Sequence, residues 1–204
     1  MNAAGASPSP EAVVNVITEH LRLEMAEGGY AAAAKTADAT SQVYDSVARM
    51  INAVSPFEIA LHDSSTTSFA HGVHSVPLNN SIFVSASSAE YASNAIAMLK
   101  HTASSCAPPP VFLPNTREGG LDLDALRDTI VYGPHEVAAV VLTHAPTNGG
   151  IVNDAVAVGK MLQGLPSNVT RPLYLLDACQ SVGQVQVDVQ EIGCDIAAGT
   201  SRKW

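Results

Sequence analysis

Between Asp177 and the end of the chain, residues able to do chemistry follow one another closely. Asp177 closes the apolar run Leu173-Tyr174-Leu175-Leu176, so a strand there carries its carboxylate to the edge of a sheet. Such a carboxylate can cap a helix, ligate a metal or pair with a bound ligand, and alone it does not choose among them. It opens the stretch Asp177-Ala178-Cys179-Gln180-Ser181-Val182-Gly183. Val187-Asp188-Val189, Gly193-Cys194-Asp195 and Gly199-Thr200-Ser201-Arg202-Lys203-Trp204 come after it. Of the lysines, Lys35, Lys100 and Lys160 fall in helical stretches, where a solvated surface is the ordinary reading. Lys203 instead follows the last predicted strand in a loop, where an amine can act as a nucleophile. By itself an Arg-Lys pair in that place is a solvated end.

Three further clusters have the right types. Ser64-Ser65-Thr66-Thr67 opens a predicted helix, where hydroxyls and amides either cap the helix or hold a phosphate. Glu90-Tyr91 puts a carboxylate beside a flat aromatic face. His144-Ala145-Pro146-Thr147-Asn148-Gly149-Gly150 is a polar turn after an apolar run, and His144 reads as a structural loop residue ahead of a proton shuttle.

These clusters need a frame. Ser9, Pro10 and Glu11 announce a first helix, with Ser9 as its cap and an apolar stripe of Val14, Ile17, Leu21 and Met25. Gly28-Gly29 interrupts, and a second helix is predicted from Ala31 to Ile51. Beyond it short apolar runs predict strands at Glu58–Leu61, Ile82–Val84, Val111–Leu113, Val137–Leu142, Leu173–Leu176 and Asp195–Ala198. Helices are predicted between them at Thr66–Val76, Ser87–His101, Asp122–Val131 and Asp154–Leu162, with Ser87 and Glu90 as a capping box. That alternation predicts an α/β three-layer sandwich, a mostly parallel sheet with helices on both faces. Ligands of such sheets bind at the carboxyl ends of the strands, the regions Asp63–Ser68, Ser85–Tyr91, His144–Gly150, Asp177–Ser181 and Gly199–Lys203.

Composition narrows the class. Hydrophobic residues are 47% of the 204 and charged ones 14%, enough apolar material for a buried core. A net charge of -9 with no basic stripe argues against nucleic acid as a partner. Cys106, Cys179 and Cys194 show no paired spacing, which fits a reducing cytoplasm. No apolar run approaches a membrane span and no charged-then-apolar start suggests a secretory signal, so a cytoplasmic, membrane-free protein is expected.

The order D-x-x-Q-S-x-G, V-D-V-x-x-x-G-C-D and a small-residue turn into Arg202-Lys203 resembles the signature of class V aminotransferases and cysteine desulfurases. These are pyridoxal-phosphate (PLP) enzymes of fold type I. The likeness extends to Asn2-Ala3-Ala4-Gly5 and is closest to the desulfurase-like branch that carries Arg-Lys, with its C–S lyases and isopenicillin N epimerase-like enzymes.

The resemblance implies a role for each position. Lys203 is the Schiff-base lysine, and Asp177 pairs with the pyridine nitrogen, keeping the ring protonated and able to accept electrons. Gln180 hydrogen-bonds the phenolic oxygen. Ser65 and Thr66 contact the phosphate, with Ser64 standing where glycine is common, and Thr200 and Arg202 add contacts from the lysine loop. Tyr91 takes the place of a stacking histidine. A polar side chain in the turn after the strand Val137–Leu142 meets the ring: Thr147 by counting, Asn148 by chemical type. No metal is implied.

Family members are longer than this chain. After the lysine they continue into a small C-terminal domain holding the substrate-gripping arginine, the mobile cysteine of true desulfurases and much of the homodimer interface. None of the three cysteines here matches that mobile cysteine, so a desulfurase assignment finds no support in these residues. The expected organisation is a helical segment over 1–50 and a PLP-binding large domain over 51–204, incomplete at its C-terminus. A sheet left without its next strand predicts poor solubility or need of a partner. The function implied is PLP chemistry on an amino-acid substrate, as a C–S lyase, desulfurase-like or epimerase-like enzyme. The alternative is a catalytically silent member of the fold that acts only in assembly.

Overall fold

The computed structural model describes residues 4–203. Asn2 and Ala3, named in the resemblance above, lie outside the described residues. The chain forms two compact units, one running through Ala60 and taking in the final residues from Ser201, the other Leu61–Thr200.

The first unit is built on two helices, α1 (Glu11–Glu27) and α2 (Gly29–Ile51), joined at Gly28 with φ 87°. Pro10 is the residue before α1 and no side chain caps that helix, so the expected Ser9 cap does not form. The apolar stripe is present but not buried. Val14, Ile17, Leu21 and Met25 are 47%, 55%, 58% and 83% exposed, and no residue of α1 is buried. The strand expected at Glu58–Leu61 is absent. Pro56 lacks an N–H and fixes its own φ, and with Ser55 capping the amide of Phe57 it starts a 3-10 turn at Pro56–Glu58. Phe57 and Leu61 both face solvent, so no buried apolar face recruits this segment to a ladder.

The second unit is the predicted sandwich. Its strands are β1 (Ile82–Ser85), β2 (Val111–Phe112), β3 (Val137–Thr143), β4 (Leu173–Asp177) and β5 (Ile196–Ala198), all parallel in the order β2-β1-β3-β4-β5. The three inner strands are nearly continuous apolar runs because helices cover both faces, and α3 (Ser65–Ser75), α4 (Ala92–Ser104), α5 (Leu123–Tyr132) and α6 (Ala155–Gln163) supply that cover.

Alternation along each strand divides the core in two. Val84, Val140, Leu142, Tyr174 and Leu176 pack against Leu126 and Ile130 of α5 and Val158 and Leu162 of α6. Phe83, Val141 and Leu175 pack on the other face against Phe69 and Val73 of α3 and Ala97 and Met98 of α4. Asp122 and Asp154 cap α5 and α6 through the amides of Ala125 and Ala157. A short helix, α7 (Val189–Ile192), follows, capped by Asp188 and ended by Gly193 at φ 69°. Its last turn lies so near α6 that a Cβ at Gly159 would sit 1.8 Å from the Ile192 carbonyl oxygen. Among the described residues no helix is long and apolar enough to cross a membrane.

The helix predicted from Ser87 begins later, at Ala92, and the Ser87–Glu90 capping box does not form. Asn115 accepts from the Ser87 hydroxyl, while Glu90 turns inward. The cause lies in the tertiary structure: Glu90 meets donors there from several elements.

Candidate active site

Asp177 ends β4, 4% exposed, and its register partner on β3 is Thr143. Its carboxylate is held at both oxygens. The amide N–H of Cys179 donates to Oδ1 at 2.9 Å, and the Asn94 side-chain amide donates to Oδ2 at 2.6 Å. Each oxygen keeps lone-pair capacity for a ligand.

Asn94 sits in the first turn of α4 on its buried face, and the same Nδ2 donates at 2.9 Å to Glu90 Oε1. Glu90 also receives the Thr143 hydroxyl and the Tyr91 amide on Oε1, and the Ser85 hydroxyl lies 3.2 Å from Oε2. Burial pushes the Glu90 carboxyl above its ordinary value, with Asp177 adding in the same direction. Hydrogen bonds from Thr143, Asn94 and Tyr91 pull against it. The carboxyl ends of β1, β3 and β4 thus meet the start of α4 in one buried polar cluster. Sequence reasoning missed Asn94 and Thr143, named Ser85 only as the start of a crevice region, and gave Glu90 a local job. One signal was available: Asn94 falls on the apolar face with Ala97 and Met98, where an unpaired amide is costly.

The hydroxyl run stands beside this cluster. Ser64 is the cap of α3, accepting from the Thr67 amide at 3.2 Å, which puts Ser65 and Thr66 in the first turn. The Ser65 hydroxyl is 2.6 Å from Cys179 Sγ, and Thr66 reaches Ser93 of α4 at 3.4 Å. Three residues after Asp177, Gln180 Nε2 donates to Thr147 Oγ1 at 3.1 Å. Thr147 and Asn148 are both exposed in their turn, and Tyr91, the residue before α4, is 46% exposed. Thr200 is half-buried just past β5.

Lys203 and Arg202 belong to the first unit. There they end a 3-10 turn at Ser201–Lys203 bound to the N-terminal stretch. The Ser7 amide donates to the Arg202 carbonyl at 2.8 Å, the Ser7 hydroxyl to the Lys203 carbonyl at 2.9 Å, and the Arg202 guanidinium to the Gly5 carbonyl. Lys203 is 7% exposed and Arg202 is exposed.

His144 takes a structural place. Its amide donates to the Asp177 carbonyl at 2.9 Å and its Nδ1 lies 3.0 Å from the Ser181 hydroxyl. Burial pushes its imidazole below the ordinary value, opposed by the charge of Asp154. It lines a cavity of about 260 Å³ with Asn153, Asp154, Gln186, Asp188 and Glu191, and Asp177 is not part of that wall.

The family model for class-V aminotransferases matches residues 1–204. The chain belongs to the class-V aminotransferase family. This is a family of PLP-dependent enzymes. The chain is 26% identical over 207 residues to a probable cysteine desulfurase of Methanothermobacter thermautotrophicus, an alignment covering 100% of the chain and 49% of that protein. The chain therefore spans about half the length of the curated relative that it matches throughout. Over 68 residues, 33% of the chain and 17% of the relative, it is 34% identical to the soluble hydrogenase 42 kDa subunit of Anabaena cylindrica.

Among solved structures, the apo cysteine desulfurase of Thermococcus onnurineus superposes with a TM-score of 0.83 at 18% identity, over 98% of this chain and 49% of that one. SspA in complex with cysteine gives 0.77 at 16%, over 98% and 56%. At such identities the likeness is one of fold, and it is the fold predicted: the parallel sheet of a fold type I PLP domain.

The second unit's donor set fits that family's cofactor. A phosphate suits the first turn of an eleven-residue helix flanked by hydroxyls, and a protonated ring nitrogen suits a buried carboxylate with lone pairs to spare.

Proposed function

We propose that this chain is the cofactor-binding part of a PLP-dependent enzyme acting on an amino-acid substrate. The observation that carries the reading is Asp177: a buried carboxylate at the carboxyl end of β4, held at both oxygens, with the Ser65 hydroxyl against the next residue but one. When bound, PLP supplies an electron sink for a bond broken at the substrate's α-carbon. The residues of the chain hold and tune it. Asp177 keeps the ring nitrogen protonated, Ser65, Thr66, Thr200 and Arg202 take the phosphate, and Gln180 donates to the phenolic oxygen with Thr147 or Asn148 beside it. Tyr91 offers its exposed ring as a stacking face, and Lys203 supplies the amine that carries the cofactor and moves the substrate's α-proton.

A C–S lyase, desulfurase-like or epimerase-like reaction is the class proposed. Support comes from the relative described as a probable cysteine desulfurase and from the like-folded structure holding cysteine. The organisation proposed is a helical segment over 1–50 and a PLP domain from residue 51 on, in a cytoplasmic homodimer. The exposed stripe Val14, Ile17, Leu21 and Met25 is an apolar surface of the kind a second subunit covers.

Addition of PLP to the chain should give a visible absorbance band that borohydride reduction fixes covalently onto the peptide containing Lys203. Lys203→Ala should lose that adduct. An unchanged band and adduct in Lys203→Ala would overturn the assignment of the lysine.

A further inference from the structure

The loop that leaves β3 and the turn that leaves β4 are tied together by two side-chain pairs, one exposed and one buried. The exposed tie is the 3.1 Å bond from Gln180 Nε2 to Thr147 Oγ1. The buried tie is the 3.0 Å contact between His144 Nδ1 and the Ser181 hydroxyl, residues 6% and 1% exposed. His144 stands three residues before Thr147, and Ser181 is the residue after Gln180. Water competes for the partners of the exposed pair. The buried pair is shielded from it, so leaving that bond unmade costs more.

Backbone bonds give each segment its own shape. The Asn153 amide donates to the His144 carbonyl at 2.8 Å, and Asn153 Nδ2 to the Thr143 carbonyl at 2.8 Å, which closes the base of the loop. The turn after β4 winds on the Ala178 carbonyl, which accepts the amides of Ser181 and Val182 at 3.1 and 3.0 Å. Between the segments, the His144 amide meets the Asp177 carbonyl at the strand's end. The imidazole carries the tie one step further, from the strand to the turn itself.

That tie holds in either neutral form of the ring. With a hydrogen on Nδ1, the ring donates to Ser181 Oγ, whose own hydrogen goes to the Ala178 carbonyl at 3.2 Å. With Nδ1 bare, the ring accepts the Ser181 hydrogen instead.

We infer that His144, through Ser181, positions Gln180 for the cofactor. His144 is a positioning residue; it is placed against neither cofactor nor substrate and moves no proton. Its value to binding rests on the reading of Gln180 as the donor to the phenolic oxygen, but the tie is a property of the chain itself.

The tie can be read without cofactor, by hydrogen exchange and mass spectrometry on the full chain. In His144→Leu and in Ser181→Ala the amides of residues 181–185 should exchange roughly fivefold to tenfold faster than in the parent. Retained protection in β3 and β4 shows that each variant is folded. His144→Asn, whose side-chain amide can take the place of Nδ1, should restore the parent's rates. A folded His144→Leu or Ser181→Ala that exchanges as slowly as the parent overturns the tie.

Positioning is read by PLP titration. His144→Leu and Gln180→Ala should each weaken binding roughly threefold to tenfold, the worth of one neutral hydrogen bond, and the double variant should bind no more weakly than Gln180→Ala. Given the loss in Gln180→Ala, a folded His144→Leu that binds as tightly as the parent overturns the positioning role, and so do additive losses in the double variant. The reading beneath it fails differently: Gln180→Ala that binds PLP like the parent, with exchange still faster in His144→Leu, removes Gln180 from the cofactor and leaves the tie standing.

Discussion

The helical unit and the sheet unit obey the same periodicity rules and end in opposite conditions. In α1 the stripe Val14, Ile17, Leu21 and Met25 has helical spacing and forms a helix, yet all four side chains are exposed. In the sheet unit Val84, Val140, Leu142, Leu175 and Leu176 are wholly buried, with helices against both faces. Periodicity therefore announces which side of an element is apolar. It does not announce whether the same chain covers it.

The largest effects that follow separate the two units. Leu142→Ala should cost about 2–5 kcal/mol of unfolding free energy, because it opens a cavity between β3 and its covering helices. Ile17→Ser, at an exposed site, should change stability by no more than about 0.5 kcal/mol while shifting self-association measured by sedimentation. Equal losses in denaturant melts of the two variants would break the comparison.

A smaller effect is expected at the start of α3. Ser64→Ala removes the acceptor of the Thr67 amide and should cost about 1 kcal/mol, read in the same melts. Ser9→Ala, at the cap that does not form, should leave the melts unchanged.

The subtlest test is the pH dependence of the sheet unit, where two buried groups act with opposite sign. His144 has its folded value lowered by burial, so its contribution is present above the ordinary 6.5 and is lost as the pH falls through the lower folded value. Glu90 has its folded value raised by burial. Its contribution is complete below the ordinary 4.5 and is lost as the pH rises through the raised value. Melts of His144→Gln should flatten on the acid side, and melts of Glu90→Gln should lose slope above about 4.5. The reverse assignment of slopes would contradict the burial of both groups.

Local rules carried much of this molecule. Every strand from Ile82 onward, the four longer helices from α3 to α6 and the parallel sheet of the second unit were legible, because apolar runs bounded by caps and turns leave few topologies open, whereas the short α7 was not expected. The misses share a cause. Glu58–Leu61 has the apolar content of a strand but no buried face to join, and Ser87–Glu90 has the spacing of a capping box but lies where stronger partners compete. In each case a pattern legible in the sequence lost to a competing arrangement, the local Ser55-Pro56 turn in the first and partners distant in sequence in the second.

The candidate site divides along the same line. Asp177, Gln180 and the Ser64–Thr67 run announced themselves by type and order near strand and helix ends. Ser85 and Thr143 also close apolar runs but belong to no motif, Asn94 lies inside a helix, and Glu90 carried a misleading mark. Only the close approach of β1, β3, β4 and α4 makes them a cluster, because a hydrogen bond depends on positions to within a few tenths of an ångström. The sequence by itself therefore determined the family and the sandwich, and it named candidate cofactor residues at strand and helix ends. The tertiary structure alone decided which side chains hold those residues, because burial and contact across distant segments set the partners and the charge of a carboxyl group.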